Sequence, residues 1–313
     1  MYEVHTSSGV LACSLSARLR KELIYSEVDL RSGGGRVKQV KTIEHSDPVA
    51  IGDVVRYVDA QDGSGMIVEI LPRRTKLARR AAGPSKHAFE QVIVANVDQV
   101  VAVMAVEKPT PKWALLDRYL VSAEAAELPA LVCITKMDLL EGDEAGMEEL
   151  QTVVGTYRKI GYPVVLTSTV SGDGLEAFGA ALQGRLSVLL GKSGVGKSSL
   201  LNHLQPGLGL RVNQVSQSTG KGKHTTTHLE MFELDTGGMI VDTPGMREFG
   251  LWEVSDEDLA YLFPEMRAFI GRCRFGLDCQ HDEEPGCALR KAVMAGQVSP
   301  YRYQSYLRLR EDV

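Results

Sequence analysis

A glycine-rich segment in the second half of the chain has the residue types and the spacing that bind phosphate groups. It matches the pattern G-x-x-x-x-G-K-[ST] at Gly191, Gly196, Lys197 and Ser198, between an apolar stretch typical of a strand and one typical of a helix. The glycines let backbone N–H groups curl around a phosphate, Lys197 would reach the β and γ phosphates, and the Ser198 hydroxyl would ligate Mg²⁺. The predicted phosphate loop comprises Gly191, Lys192, Ser193, Gly194, Val195, Gly196, Lys197, Ser198 and Ser199.

An acidic residue at the end of a later apolar stretch suits the same chemistry. In MIVDTPG, Asp242 ends a predicted strand and would hold Mg²⁺ through water, and the amide of Gly245 could sense the γ-phosphate. The polar, glycine-punctuated segment before it is typical of a switch, in which Thr225 or Thr226 could supply another Mg²⁺ ligand. The sequence leaves open which threonine does so.

Two motifs earlier in the chain predict recognition of a guanine base. Thr135, Lys136 and Asp138 match [NT]-K-x-D after an apolar strand, so that the Asp138 carboxylate can accept hydrogen bonds from guanine N1 and N2 together. Ser168 and Thr169 follow the next apolar strand, where a backbone N–H would donate to guanine O6. Adenine cannot offer this pairing, so the two motifs favour GTP over ATP.

The base motifs precede the phosphate loop, whereas in most GTPases they follow it. Opening a doubly wound sheet at another place and joining the old ends preserves every strand neighbour, and domains with adjacent termini tolerate this. The order therefore predicts a circularly permuted GTPase domain. The segment after DTPG would then be tethered to a C-terminal region, on which movements of the switch could pull.

A third set of chemically active residues lies near the C-terminus. Cys273, Cys279, His281 and Cys287 provide three thiolates and one imidazole, the ligand set of a closed structural Zn²⁺ site. Four protein ligands leave no position for an activating water, so we interpret this cluster as structural. The other two cysteines, at 13 and 133, lie in apolar stretches and are expected to pack as small buried side chains.

Three domains are expected to position these residues. Short strands separated by turns predict an N-terminal OB-like β-barrel over residues 1–82, although strand pattern alone does not separate it from an SH3-like barrel. Apolar strands alternating with helices predict a central α/β P-loop GTPase domain with a parallel sheet over residues 83–254. Residues 255–313 are predicted to form a mostly helical, zinc-binding domain.

The composition is that of an ordinary globular protein. With 44% hydrophobic and 24% charged residues, the 313-residue chain is expected to be neither disordered nor fibrous. Its net charge of −5 gives no overall signal of nucleic-acid binding. The N-terminus does not have the pattern of a signal peptide, and no apolar run is long enough to span a bilayer, so we expect a cytoplasmic protein without a membrane partner.

One local cluster is basic despite the negative net charge. No acidic residue interrupts it, and it could neutralise several phosphates of a nucleic acid such as rRNA. A solvated linker face is an equally good interpretation of the same residues. The cluster consists of Arg73, Arg74, Lys76, Arg79 and Arg80.

These motifs together resemble the ribosome small-subunit-dependent GTPase family, RsgA or YjeQ, along nearly the whole chain. The resemblance rests on the order TKMD, TST, GKSGVGKSS, KHTTT, DTPGMREFGL and on the C-x5-C-x-H-x5-C cluster. It implies an OB-fold, a permuted GTPase domain and a zinc domain that act on the 30S subunit and its 16S rRNA during late maturation. It also implies slow hydrolysis of GTP that the subunit stimulates, with Mg²⁺ bound beside GTP or GDP. We expect the protein to be a monomer.

Two positions depart from common GTPase patterns. Thr135 stands where most members of the family have Asn, and its hydroxyl can bond the phosphate loop but cannot reproduce an amide's contact with the base. Met246 follows the D-x-x-G motif, where many small GTPases have a Gln that orients the attacking water. The resemblance, and a place in the switch segment beside the threonines, both point to His224 as the catalytic residue that orients or deprotonates this water.

Two other classes of protein fit parts of the sequence. A zinc-containing RNA-binding protein with a vestigial nucleotide site is disfavoured because Lys197, Ser198 and Asp242 are intact. An ATP-dependent kinase built on the same phosphate loop is disfavoured by Asp138 in its motif. The sequence therefore favours a GTPase that acts with ribosomal RNA.

Overall fold

The structure is a computed structural model that describes residues 1–25, 49–82, 88–210, 230–242 and 254–311, with side chains except at residues 22–25 and 79–90. Within these ranges the chain forms two larger sheets, a hairpin and a helical C-terminal segment. No helix of the described residues is long and apolar enough to cross a membrane.

The N-terminal region is a curled four-stranded sheet with one helix. It contains β1 (Tyr2–Thr6), β2 (Gly9–Leu15), α1 (Ala17–Tyr25), β3 (Val55–Asp59) and β4 (Ser64–Ile70), in the order β1-β2-β4-β3. Buried and exposed side chains alternate along β4, as a sheet with one covered face requires. The covered face packs around Cys13, Leu19 and Ile67. The expected strands at VLACSL and MIVEIL are confirmed, and the one expected at VKTI lies outside the described residues.

A two-stranded hairpin connects this sheet to the next one. It consists of β5 (Lys76–Ala82) and β6 (Ala88–Ala95), which pair antiparallel. The expected domain boundary between residues 82 and 83 falls inside this hairpin. The N-terminal region contacts β6 closely at Gly52, where a Cβ would lie 2.2 Å from the Ala95 carbonyl oxygen, so this position requires glycine.

The central sheet carries the strand and helix alternation that the sequence predicts. In chain order its elements are β7 (Gln99–Ala105), α2 (Trp113–Ala125), β8 (Ala130–Thr135), α3 (Glu144–Ile160), β9 (Val164–Leu166), α4 (Leu175–Leu182), β10 (Leu186–Leu190), α5 (Lys197–Leu204), β11 (Glu230–Glu233) and β12 (Met239–Asp242). The strand order is β11-β12-β10-β7-β8-β9. All neighbouring pairs are parallel except β11 with β12, so the carboxyl ends of five strands meet at one edge.

Strand β7 shows why these strands are apolar along their whole length. Every one of its residues is buried, because successive side chains point to opposite faces and helices cover both faces. Val100 and Ala102 belong to the core cluster beneath α2 and α3, whereas Val101 and Val103 belong to the cluster beneath α4 and α5. Asn96, with a positive φ of 56°, lies between the end of β6 at Ala95 and the start of β7 at Gln99, where it interrupts the extended backbone.

The C-terminal segment is helical and packs against the central domain. It contains α6 (Asp256–Leu259), α7 (Ala288–Met294) and α8 (Pro300–Glu311), with short 3₁₀ turns between α6 and α7. Its core includes Phe263, Met266 and Tyr306, together with Val121 of α2. The expected helices interrupted by a Cys/His cluster are therefore confirmed.

A buried ionic network fastens α8 to the central domain. The guanidinium of Arg302 donates to Asp117 of α2 at 2.7 Å and to Glu265 at 2.6 Å, and the Tyr157 hydroxyl of α3 donates to Asp117 at 2.7 Å. The guanidinium also lies 4.5 Å from the ring centre of Phe263. Burial by itself lowers the pKa of Arg302, but the two carboxylates outweigh it and raise the net pKa, so the side chain stays charged.

We expect Arg302→Ala to lower the free energy of unfolding by about 3–5 kcal/mol, because it leaves Asp117 and Glu265 buried without their cation. Urea unfolding followed by circular dichroism measures this loss. Arg308→Ala on the exposed face of the same helix is the matched control and should change the free energy by less than about 0.5 kcal/mol. Equal losses in the two variants would contradict the role assigned to the network.

Candidate functional site

The predicted phosphate loop joins the carboxyl end of β10 to α5. Lys197 is buried in the first turn of α5, and its ammonium donates to the carbonyl of Gly191 at 2.8 Å, so the loop folds around it. A Cβ at Gly191 would lie 2.6 Å from the Val103 carbonyl oxygen of β7, which explains glycine at this position. The loop is therefore a closed backbone turn around a buried cation, the geometry that receives phosphate groups.

Asp242 lies beside this loop because β12 pairs with β10 in parallel register, with Asp242 opposite Leu189. Burial lowers the pKa of Lys197, and the charge of Asp242 partly offsets this shift. The structure thus brings the Asp242 carboxylate, the Lys197 ammonium and the half-buried Ser198 hydroxyl to the carboxyl ends of β10 and β12. Oxygen ligands of this kind are the ones that Mg²⁺ prefers. The predicted residues His224, Thr225, Thr226 and Gly245 lie outside the described residues.

The [NT]-K-x-D turn is bonded directly to the phosphate loop. The buried Thr135 hydroxyl donates to the Val195 carbonyl at 2.5 Å, as the sequence analysis expected for a threonine in this position. The Lys136 ammonium donates to the Gly194 carbonyl at 2.7 Å and also to the carbonyl of Lys108. Burial lowers the pKa of Lys136, whereas the charge of Asp138 opposes that shift. These bonds join two motifs that are about sixty residues apart in the chain.

Asp138 and the Ser168 turn form a second connected unit at the ends of β8 and β9. The Ser168 hydroxyl donates to the Asp138 carboxylate at 2.5 Å and accepts from the amides of Val170 at 3.1 Å and Ser171 at 3.2 Å. Among the described residues, none accepts a hydrogen bond from the Thr169 amide. The turn therefore places a carboxylate and an uncommitted N–H side by side, the pair that guanine recognition requires.

The basic cluster is less open to a ligand than the sequence analysis assumes. Arg73 makes a two-pronged ion pair with Asp53, at 2.7 and 2.8 Å, and the Asp53 side chain is almost fully buried. Arg74 is 70% exposed and pairs loosely with Asp98 at 3.3 Å. Lys76 begins β5, and the side chains of Arg79 and Arg80 lie outside the described ones. Arg73, in the segment between β4 and β5, is thus bonded to Asp53, which lies just before β3 of the N-terminal sheet. Arg74 remains accessible.

The four residues of the cysteine–histidine cluster converge as predicted. All four are buried, and their ligand atoms lie within 4.8 Å of one another. The Cys273 and Cys287 sulfurs are 3.8 Å apart, and the His281 Nδ1 lies 3.4 and 3.5 Å from them. Tetrahedral Zn²⁺ with Zn–S bonds of about 2.3 Å separates two sulfur ligands by about 3.8 Å, so the cluster fits a metal ion of this geometry.

The surroundings of the cluster act on its thiols in two opposite ways. The amides of Ala288 and Arg290 donate to the Cys273 and Cys287 sulfurs, which favours thiolates. Burial raises the pKa of Cys279 to about 12, so a metal ion would be needed to displace its proton. Burial also lowers the pKa of His281, which favours the neutral imidazole that coordinates a metal.

Helix α8 holds the backbone of this cluster from outside. The Tyr303 hydroxyl donates to the His281 carbonyl at 2.6 Å, and Arg310 donates to the Gln280 carbonyl at 2.6 Å. Cys13 and Cys133 are buried elsewhere as small apolar side chains, which confirms their expected role. The sequence analysis misses Asp53, Lys108 and the α8 contacts, because none of these residues belongs to a spaced motif.

Comparison with known proteins places this geometry in a family. A family model described as RsgA GTPase matches residues 70–252. The "Small ribosomal subunit biogenesis GTPase RsgA" of Pseudomonas aeruginosa (strain LESB58) is 41% identical over 90% of this chain and 80% of its own length. The protein of the same name from Gemmatimonas aurantiaca is 41% identical over 100% of this chain and 94% of its own.

Two solved structures resemble the whole molecule. The crystal structure of YjeQ from Thermotoga maritima has a TM-score of 0.72 and 30% identity, covering 99% of this chain and 92% of that one. The structure of YloQ, described as a circularly permuted GTPase, has a TM-score of 0.68 and 31% identity, covering 99% and 90%. These matches, with the curled N-terminal sheet and the C-terminal cluster, confirm the predicted fold class.

We expect Ser168→Ala to weaken GDP binding about tenfold, because the change removes one bond to Asp138 and the acceptor of two turn amides. Isothermal titration calorimetry measures the dissociation constant. Ser171→Ala, which removes a hydroxyl bonded to the exposed Asp173, is the matched control and should stay within about twofold of the unmodified protein. A Ser168→Ala protein with unchanged affinity would show that the turn does not organise a nucleotide site.

Proposed function

The chain belongs to the RsgA GTPase family and is therefore a GTP hydrolase, and from this premise we propose that it binds the small ribosomal subunit and acts in its late maturation. The curated relatives named as small ribosomal subunit biogenesis GTPases support this role. The observation that carries the GTP-hydrolase part of this proposal is the direct bonding of the Thr135–Lys136 turn to the phosphate loop, which supports one connected site for base and phosphates.

The proposed nucleotide site uses each described motif for one part of GTP or GDP. Backbone amides of residues 191–199 and the Lys197 ammonium receive the phosphates, while Asp138 and the Thr169 amide receive the guanine edge. Ser198 and Asp242 would hold Mg²⁺, which supplies charge neutralisation between the phosphates when bound. A third ligand from Thr225 or Thr226 is proposed from the sequence alone.

We expect Asp138→Asn to lose roughly 30- to 1,000-fold in GTP affinity, because an amide cannot accept from guanine N1 and N2 together. The same variant should gain affinity for xanthosine triphosphate, whose altered base edge matches the amide. Fluorescence titration with GTP, xanthosine triphosphate and ATP measures the three affinities. Equal GTP affinity in both proteins would exclude Asp138 as the base-recognition group.

We propose that the cysteine–histidine cluster holds one structural Zn²⁺. Support comes from the 3.8 Å separation of the Cys273 and Cys287 sulfurs, from the burial of all four side chains and from the convergence of their four ligand atoms within 4.8 Å. Three thiolates and one imidazole suit zinc better than magnesium or calcium, which prefer oxygen. The ion would fix the segment between α6 and α7 and would take no part in hydrolysis.

We expect one equivalent of zinc per chain in protein purified without chelator, and much less in Cys279→Ala, which removes one of four ligands. Elemental analysis measures the metal, and hydrogen exchange should show loss of protection confined to residues near the cluster. Cys13→Ala, a buried cysteine outside the cluster, should retain the full equivalent. Less than about half an equivalent in the unmodified protein would refute the assignment.

We propose that the protein contacts 16S rRNA on the 30S subunit as a cytoplasmic monomer. Arg74 and Lys76 are the exposed members of the basic cluster among the described side chains and favour phosphate contact, whereas the bonds of Arg73 to Asp53 favour a structural role for that residue. Arg79 and Arg80 remain part of the proposal on their charge in the sequence. Ribosome assembly takes place in the cytoplasm, which supports the proposed location.

We propose His224 as the residue that orients the attacking water, because Met246 cannot do so. We expect His224→Ala to keep GTP affinity and 30S co-sedimentation yet lose about 100-fold or more of the subunit-stimulated turnover. Phosphate release with and without 30S subunits measures this effect. His203→Ala, on the exposed side of α5, is the control and should keep full stimulation. Full stimulated hydrolysis by His224→Ala would overturn the assignment.

A further inference from the structure

Val170 is an uncovered aliphatic side chain in the turn that follows β9. It is 79% exposed, more than any other valine, leucine or isoleucine of the described residues. Single exposed apolar residues are common on protein surfaces, so exposure by itself carries no meaning. The position of Val170 in the chain is informative, because Val170 directly follows Thr169, whose amide makes no hydrogen bond among the described residues.

The backbone beneath this side chain is held firmly. The Val170 amide donates to the Ser168 hydroxyl at 3.1 Å, and that hydroxyl donates to Asp138 at 2.5 Å. Ser168 is itself fully buried, and its own amide and carbonyl bond the residues that close the turn, Asp173 and Gly172. The turn therefore fixes the position of the Val170 backbone, while no described residue covers its side chain.

A bound purine needs more than hydrogen bonds along its edge. Asp138 and the Thr169 amide can fix the base within its plane, but the flat faces of the ring are apolar and gain free energy only when protein side chains exclude water from them. An aliphatic group beside the edge-recognition turn, on a preorganised backbone, can make that contact without ordering a loop at the time of binding.

We propose that Val170 packs against the guanine ring and is an affinity-determining residue of the nucleotide site. The inference rests on the proposed recognition of guanine by Asp138. The contact involves the ring and not the phosphates, so it strengthens GDP and GTP binding equally. It depends on apolar shape and not on hydrogen bonds, so Asp138 still discriminates between guanine and adenine.

The size of the effect follows from the area that a base can cover. The hydrophobic contribution is proportional to the apolar area removed from water, and a ring contacting one side of the valine side chain covers about half of it. Replacing Val170 by serine should therefore weaken nucleotide binding about three- to tenfold. The exposed position in the free protein means that the melting temperature of the variant should stay unchanged.

The first experiment compares Val170→Ser, Val170→Ile and the unmodified protein by calorimetric titration with GDP, GTP and inorganic tripolyphosphate, each with Mg²⁺. The affinity of Val170→Ser for GDP and for GTP should fall by the same factor, and its affinity for tripolyphosphate should not change. Val170→Ile should bind all three as tightly as the unmodified protein. Val58→Ser, an exposed valine of the N-terminal sheet, is the matched control and should bind all three as before. Unchanged GDP affinity in Val170→Ser, or an equal loss for tripolyphosphate, would overturn the proposal.

The second experiment observes the side chain itself. In protein with ¹³C-labelled valine methyl groups, the Val170 signals, assigned from Val170→Ile, should shift on adding GDP because of the purine ring current, and should not shift with tripolyphosphate. Asp138→Asn separates this proposal from the assignment of the base site. Suppose that Asp138→Asn loses GDP affinity, but the Val170 signals of the otherwise unmodified labelled protein do not shift on adding GDP. Val170 then does not contact the base, and the recognition of guanine by Asp138 stands. If Asp138→Asn binds GDP as before, the proposed base site fails, and the inference about Val170 fails with it.

Discussion

The bonds from Thr135 and Lys136 to the phosphate loop are the contacts on which the candidate site depends. The Thr135 hydroxyl and the Lys136 ammonium donate to the carbonyls of Val195 and Gly194, so the base-recognition turn and the phosphate loop form one rigid corner. The Thr135 hydroxyl is buried, which makes its bond stronger than it would be at the surface, and the Lys136 side chain is half-buried. The groups that would meet the base and the phosphates are thereby spaced before a nucleotide arrives.

The parallel sheet makes this corner compatible with a permuted chain order. Carboxyl ends of β8, β9, β10 and β12 meet at one edge whatever order the chain visits them in, because strand neighbours and not chain connections decide where the ends lie. The permutation moves the new C-terminal segment next to the DTPG end. Arg302 anchors that segment on α2 through Asp117, which also accepts a hydrogen bond from Tyr157 of α3.

Prediction from the sequence succeeded where a local pattern carried the information. Apolar strands followed by helical periods located β7 to β10 with their helices, because burial on both faces demands uninterrupted apolar strands. It did not predict β1, α1 or the pairing of β5 with β6, although the second half of β6 lies in the apolar run that begins QVIVA. The ion pair of Arg73 with Asp53 could not be predicted from the basic cluster, because Asp53 lies twenty positions earlier in the chain.

The amino-acid sequence alone predicts the chemistry of the candidate site: a phosphate loop, a carboxylate for base recognition, a cysteine–histidine cluster suited to a metal ion, and their unusual order. These are recognisable because each needs particular residue types at short, fixed spacing. The folded chain adds that Thr135 bonds the Val195 carbonyl, that Lys108 contributes a carbonyl to Lys136, that Arg302 is buried between two carboxylates, and that Val170 is exposed in the turn whose Ser168 bonds Asp138. Such contacts join residues far apart in the chain, and their free energy depends on burial and distance, which no local pattern of residues specifies.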